Sequence, residues 1–299
     1  MLVIEGVHKR YGDAVVLRGV DMQVEPGQVV GLLGRNGAGK TTLLSIVAGL
    51  LRADTGTVSL DGHDAVADRQ YLMARLGFVP QNLSVYPTLT VEANLRFFAD
   101  LRMVPRADRN RAITRVADHL LLDQLLDRKV GQLSGGEQRR LHAAIGLLGR
   151  PRVVLLDEPT AGADAATRSH LLNAVRALAV EDGTACVYTS HYTPEIETIA
   201  DRVAVLHHGK VRTWGSVESV IEAHGRTTLD LSFCRPVSAG AWGHHALDHV
   251  RIDTEHPSET LAKVLAELEA DASALSSVDI SRPSLESAYL ALTEEPEVR

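Results

Sequence analysis

Apolar residues recur along this chain in two rhythms. Val20, Met22 and Val24 alternate with Asp21, Gln23 and Glu25, and Pro26-Gly27 closes the run; a half-buried strand ending in a turn is predicted. Short strands are also predicted over Leu2 to Val7, over Thr57 to Leu60 before the Asp61-Gly62 turn, and over Leu76 to Val79. From Val91 to about Leu126 the period lengthens: Leu95, Phe98 and Leu101, then Ile113, Val116, Ala117 and Leu120, fall at three-four spacing, which predicts a helical insert. Val29 to Leu33, Val153 to Leu156 and Ala185 to Tyr188 are unbroken apolar runs with helix-like segments after them, as suits parallel strands covered on both faces. After Ser219 the character changes. Thr227 to Phe233, Val250 to Asp253 and Val278 to Ile280 read as strands, and Glu259 to Leu268 as a helix. The fold expected is α/β: a core with an antiparallel β subdomain and an α-helical subdomain at about 83–146, together spanning 1–221, then a small α+β extension over 222–299.

Length and charge narrow the classes. With 299 residues and 45% apolar content, the chain can build one large domain plus a small one, or two modest ones. The formal net charge is -7 and no polybasic run occurs, so neither a nucleic-acid groove nor a headgroup-binding patch is announced. Met1 to Tyr11 lacks an apolar core of signal-peptide type, and the apolar runs at 29–33, 43–51 and 153–156 are too short to span a bilayer; a soluble, cytoplasmic chain is expected. Cys186 and Cys234 are isolated and read as structural thiols. Lysine occurs only at 9, 40, 129, 210 and 263, so Lys40 is kept in a composition that otherwise prefers arginine.

That lysine belongs to Gly34-Arg35-Asn36-Gly37-Ala38-Gly39-Lys40-Thr41, which fits G-x-x-x-x-G-K-[ST] between the apolar run at 29–33 and the segment Thr42 to Val47. Strand, loop and helix in that order make a phosphate cradle. The glycines let successive N–H groups turn inward at a helix start, Lys40 reaches the outer phosphates, and Thr41 offers its hydroxyl to Mg²⁺. The run Arg152 to Leu156 delivers Asp157 and Glu158 at a strand's C-terminal end, the edge where open α/β sheets place ligands. Adjacent side chains diverge, so one acid suits Mg²⁺ and the other an attacking water. Leu133-Ser134-Gly135-Gly136-Glu137 has capping-box spacing ahead of the helical run Gln138 to Leu148, a second helix start open to anions. His244, His245, His249 and His256 cluster in the extension, with His245 and His249 spaced to share a helix face, although Gly243 and Pro257 flank a loop-like stretch.

Tyr11, the loop at 34–42, Gln81 after Phe78-Val79-Pro80, Leu-Ser-Gly-Gly-Glu at 133–137, Asp157-Glu158 and His191 after Thr189-Ser190 occur in the order and approximate spacing of an ATP-binding cassette (ABC) ATPase. The chain resembles that family over 1 to about 220. The resemblance implies a RecA-like core, with ATP and Mg²⁺ as cofactors. It implies that Tyr11 stacks on adenine, that Gly34, Arg35, Asn36, Gly37, Ala38, Gly39, Lys40, Thr41 and Thr42 hold the phosphates, and that Gln81 joins Thr41 and Asp157 around Mg²⁺ and the attacking water. Glu158 would be the catalytic base and His191 would contact the γ-phosphate. Ser134, with Gly135, Gly136 and Glu137, would bind the γ-phosphate of ATP held by a second copy in a head-to-tail dimer, with Asp164 at the contact. Taken singly, Tyr11 reads as a core aromatic at a strand end, Gln81 as a loop amide and His191 as a core histidine; their joint placement reverses that. Ala163 departs from the aliphatic residue usual before Asp164 in this family.

The stretch Tyr86 to Leu95 and the tail Pro283 to Thr293 look like ATPase subunits of drug-resistance exporters of the daunorubicin and doxorubicin class. The tail also reads as an amphipathic helix, with Leu285, Ala288, Tyr289 and Leu292 on one face behind a Ser284 cap. The resemblance implies an ATPase, peripheral on the inner face of the membrane, that drives export of a hydrophobic compound through a separate permease docked near Leu83 to Phe98, with no direct nucleic-acid partner. An importer ATPase is the nearer rival. ABC proteins acting on nucleic acid or ribosomes usually carry two cassettes or a long coiled coil between the phosphate motifs; here only 42–132 intervene, without sustained heptads.

Overall fold

The alternation at Val20, Met22 and Val24 marks a strand whose apolar side is buried in the computed structural model, which describes residues 1–237 and 247–294. The chain divides into two units, 1–216 and from Val217 onward. In the first, β1 (Leu2–Tyr11), β2 (Ala14–Val24) and β3 (Val29–Leu33) lead to α1 (Lys40–Val47), β4 (Thr55–Leu60), β5 (His63–Asp64), α2 (Arg69–Arg75) and β6 (Leu76–Val79). Next come α3 (Val91–Leu101), α4 (Arg109–His119), α5 (Gly135–Leu147), β7 (Val153–Asp157) and α6 (Ala165–Asp182). The unit closes with β8 (Ala185–Ser190), α7 (Thr193–Ile199), β9 (Arg202–His207) and β10 (Lys210–Ser216).

Two sheets result. One is antiparallel, in the order β2-β1-β4-β5; the other runs β10-β9-β3-β8-β7-β6, parallel except for β10 at its edge. Every residue of β3, β7 and β8 is buried, which is why these strands are apolar without alternation. The predicted helical insert is two helices, α3 and α4, with Pro105 in the connection, and Leu101 turns out 65% exposed rather than on the apolar face. The insert is held close to the parallel sheet. A Cβ on Gly77 of β6 would lie 2.1 Å from the Gly146 carbonyl oxygen of α5, so only glycine allows that approach. Arg102, just past α3, donates to the carbonyls of Gly146, Leu148 and Leu76 at 2.9, 2.7 and 3.1 Å, a cation placed at the C-terminal end of α5.

The second unit contains α8 (Val217–His224), β11 (Thr228–Val237), β12 (Leu247–Asp253), α9 (Pro257–Leu268), β13 (Leu275–Ser281) and α10 (Leu285–Glu294). Its antiparallel sheet, β12-β11-β13, shares a core of Leu229, Leu231, Phe233, Val250 and Val264 with α9. The division at 216/217 falls five residues before the sequence-based boundary, because α8 packs on α10 and belongs with the second unit. Ser284 and Ser287 bond reciprocally at the start of α10, N–H to Oγ at 3.0 and 3.2 Å, with Leu285 and Ala288 buried. His249 lies on β12, not on a helix, 3.5 Å from Asp230 Oδ1; His244 and His245 fall outside the described residues. Cys186 is buried in β8, whereas Cys234 is exposed on β11. Among the described residues no helix is long and apolar enough to cross a membrane.

Candidate functional site

The loop after β3 enters α1 through Gly39, whose φ of 107° is open to glycine and strained for other residues. No side chain caps α1 and no acid sits in its first turn, so the loop and the first N–H groups of the helix stay available to an anion. Lys40 is 6% exposed and folds back, donating to the Gly34 carbonyl at 2.6 Å, with Nζ 3.9 Å from Glu158 Oε1. Burial lowers its pKa, and the charges of Glu158 and Asp157 partly restore it.

The two acids diverge, as adjacent residues at a strand end must. Asp157 is buried and accepts from Thr41 Oγ1 at 2.8 Å on one oxygen and from Thr189 Oγ1 at 2.7 Å on the other. Glu158 has φ 47°, a left-handed backbone held by its N–H, which lies 3.0 Å from Thr189 Oγ1 and 3.2 Å from the Thr189 carbonyl oxygen. Its carboxylate accepts from Gln81 Nε2 at 3.1 Å, and His191 Nδ1 stands 3.4 Å from the same oxygen. Arg35, Asn36, Gly37, Gly39, Lys40, Thr41, Thr42, Gln81 and Glu158, with Val16, line a cleft of about 470 Å³. Thr41 and Asp157 offer only oxygen donors, a set that suits a hard dication such as Mg²⁺.

Lys40, Thr41, Gln81, Asp157, Glu158 and His191 are thus brought together. His191 is largely exposed rather than a core histidine. Tyr11 ends β1 at 51% exposure, outside the cleft lining, with Lys9 Nζ 5.7 Å from its ring centroid; it too is no core aromatic. Ser134 forms the full capping box with Glu137, at 2.7 and 3.3 Å. Gly135 faces open space, while a Cβ on Gly136 would lie 2.7 Å from Thr167 Oγ1, so the second glycine also serves packing within the chain. Asp164 caps α6, accepting from Thr167 N and Oγ1 at 2.8 and 2.9 Å.

Residues that sequence reasoning passed over join these parts. Thr189, read only as the lead-in to His191, positions both acids. Arg139 donates to the Gln81 carbonyl at 2.7 Å, and His142 Nε2 accepts from Ser84 N–H at 3.3 Å, so α5 braces the loop that carries Gln81. Their position one and two turns beyond the Ser134 box was the available signal.

The profile of the family described as ABC transporter matches residues 17–161. The chain is 30% identical to the linearmycin resistance ATP-binding protein LnrL of Bacillus subtilis (strain 168), over 98% of each chain. It is 33% identical to the daunorubicin resistance ATP-binding protein DrrA3 of Streptomyces coeruleorubidus, over 98% of this chain and 95% of that one. The sulfate/thiosulfate import ATP-binding protein CysA of Synechococcus elongatus is 35% identical over 85% of this chain and 73% of its own. Among solved structures, the dimeric post-hydrolysis state of the cassette MJ0796 bound to ADP and Pi superposes with a TM-score of 0.65 at 25% identity, covering 72% of this chain and 98% of that one.

Proposed function

The chain belongs to the ABC transporter family of ATP-binding subunits, and on that premise we propose that it powers export of a drug-like, lipid or other hydrophobic compound through a separately encoded permease. Its activity is ATP hydrolysis in the service of transport. The observation that carries the export reading is the reach of the likeness: the two resistance proteins match over 98% of this chain, the second unit included, against 85% for the import protein.

In the proposed site the loop at 34–42 and Lys40 bind the phosphates of ATP, and Tyr11 carries adenine. Thr41, Asp157 and Gln81 would hold Mg²⁺, which supplies neutralisation of charge on the β- and γ-oxygens when bound. Glu158 accepts a proton from the attacking water as the new O–P bond forms and the β–γ bridge breaks, giving ADP and phosphate; its contact with Lys40 and Gln81 keeps it aimed at the loop. His191, beside Glu158, donates to the γ-phosphate. Ser134 to Glu137 complete the site of a second copy, with Asp164 at the contact, so that ATP closes a head-to-tail dimer and hydrolysis reopens it. The accessory role falls to the second unit, and permease docking to Leu83–Phe98, where Tyr86 and Phe97 are exposed.

The test is a pull-down of full-length Glu158→Gln protein with ATP and Mg²⁺ from gently solubilised membranes. Hydrolysis should fall about 100-fold or more, and a stoichiometric multi-spanning protein should co-purify. Recovery of ribosomes or DNA-bound proteins instead would sink the transporter reading. Loss of the chain should sensitise cells to hydrophobic antibiotics; a defect in nutrient uptake alone would favour import.

A further inference from the structure

Behind the hydrolytic cluster lies a further buried carboxylate with no part in the roles assigned above. Glu195, in the first turn of α7, is 3% exposed. Its oxygens accept from Thr160 Oγ1 at 2.7 Å, Ser190 Oγ at 2.7 Å and Tyr188 OH at 3.0 Å, and Arg168 Nε lies 3.0 Å from Oε1. A buried carboxylate persists only where donors fill its lone pairs. Here three hydroxyls do so, with the Arg168 guanidinium beside them as counter-charge, and Tyr188 stays a donor because burial and the charge of Glu195 raise its phenol well above the ordinary range.

The origins of those donors matter more than their number. Thr160 stands two residues after Glu158, in the turn that leads to Asp164. Arg168 lies one helical turn past Asp164, donates to the Ala163 carbonyl at 3.3 Å, and places its Cζ 5.0 Å over the Tyr192 ring. Tyr188 and Ser190 end β8, and Ser190 Oγ also accepts from Tyr192 N–H at 3.0 Å. The residues on both sides of His191, and the residue before Asp164, are therefore fastened to one ion pair.

We propose that Arg168 and Glu195 are a positioning pair that ties the Asp164 turn to the His191 turn, so that contact with the second copy and placement of His191 occur as one movement. The pair acts through Thr160, Ser190, Ala163 and Tyr192, and this inference rests on the roles proposed above for Asp164 and His191. An ion pair serving stability alone could be exchanged for apolar residues with little penalty; this one, with Glu195 buried and Arg168 32% exposed, connects the two segments whose relative placement the roles above make decisive.

The experiment measures kcat and KM for ATP, with thermal unfolding in parallel, on full-length protein. Glu195→Gln and Arg168→Leu should each lower kcat about tenfold or more while KM stays within about twofold. The double variant should be no worse than the poorer single, since both break one link. Should Glu195→Gln fold poorly, Thr160→Val, which deletes a single donor, should lower kcat in the same way and Thr160→Ser should restore it. Unchanged kcat in folded Glu195→Gln and Thr160→Val, multiplicative losses in the double variant, or losses that only track the folded fraction would overturn the inference. His191→Ala separates the levels. If it loses turnover while Glu195→Gln and Thr160→Val do not, the positioning pair alone is refuted; if it keeps wild-type turnover, the reading beneath fails and takes the pair with it.

Discussion

Glu158 occupies a backbone region that a non-glycine residue adopts at a cost of about 1–2 kcal/mol, and the N–H contacts to Thr189 offset it. That single threonine also fixes Asp157, so one hydroxyl orients both acids. Thr189→Val keeps the branched shape and removes the hydroxyl. Stability should fall by about 1–3 kcal/mol, the cost of leaving buried polar groups unpaired, and turnover should fall further; denaturant titration and steady-state hydrolysis measure both. Turnover within twofold of wild type would mean the acids are placed by something else. Lys40, Thr41, Asp157 and Glu158 were legible from spacing because each lies at a strand or helix end within its own motif. Thr189 was not, because its task depends on the pairing of Asp157 with Thr189 between β7 and β8, a relation across 32 positions.

At the scale of elements, α5 does two jobs. Its first turn carries the capping box and its second and third brace the Gln81 loop through Arg139 and His142. Burial, with the charge of Arg139 adding to it, pushes the His142 imidazole down to about 4 from 6.5. As pH falls the unfolded chain therefore takes the proton first, so the stability contributed by neutral His142 is complete above pH 6.5 and is lost on the way to pH 4. Between pH 7 and pH 5 that loss is about 2 kcal/mol, and denaturant midpoints of wild type and His142→Gln should show it as a slope present in the first and missing in the second. The N-terminal end of α5 gives a separate expectation. Ser134→Arg should abolish hydrolysis while nucleotide binding to a single copy, read by fluorescent-ATP titration, is retained; unimpaired turnover would remove Ser134 from the shared site. The helix start here was readable from sequence, whereas the break of the 91–126 segment into α3 and α4 was not marked by the three-four spacing, which continues on both sides of Pro105.

Among the described residues each unit holds an apolar core of its own. Calorimetry should accordingly resolve two transitions. ATP with Mg²⁺ should raise the one belonging to 1–216 by mass action, and Leu231→Ala, which empties part of the small core, should lower the other by about 2–5 kcal/mol in stability. A single transition shifted by both would show one cooperative unit. Sequence alone determined the α/β class, the phosphate loop, the acid pair and the capping box, because each is written in local spacing: glycines where the backbone must turn, period-2 and three-four rhythms where one face is buried, unbroken apolar runs where both are; the family came from the resemblance that those motifs carry together. Tertiary structure decided which side chains meet. The hold of Thr189 on both acids, the bracing of Gln81 by α5, and the meeting of Thr160, Arg168, Ser190 and Glu195 come from strand order and close packing, which join residues far apart in the chain and leave no period in the sequence to read.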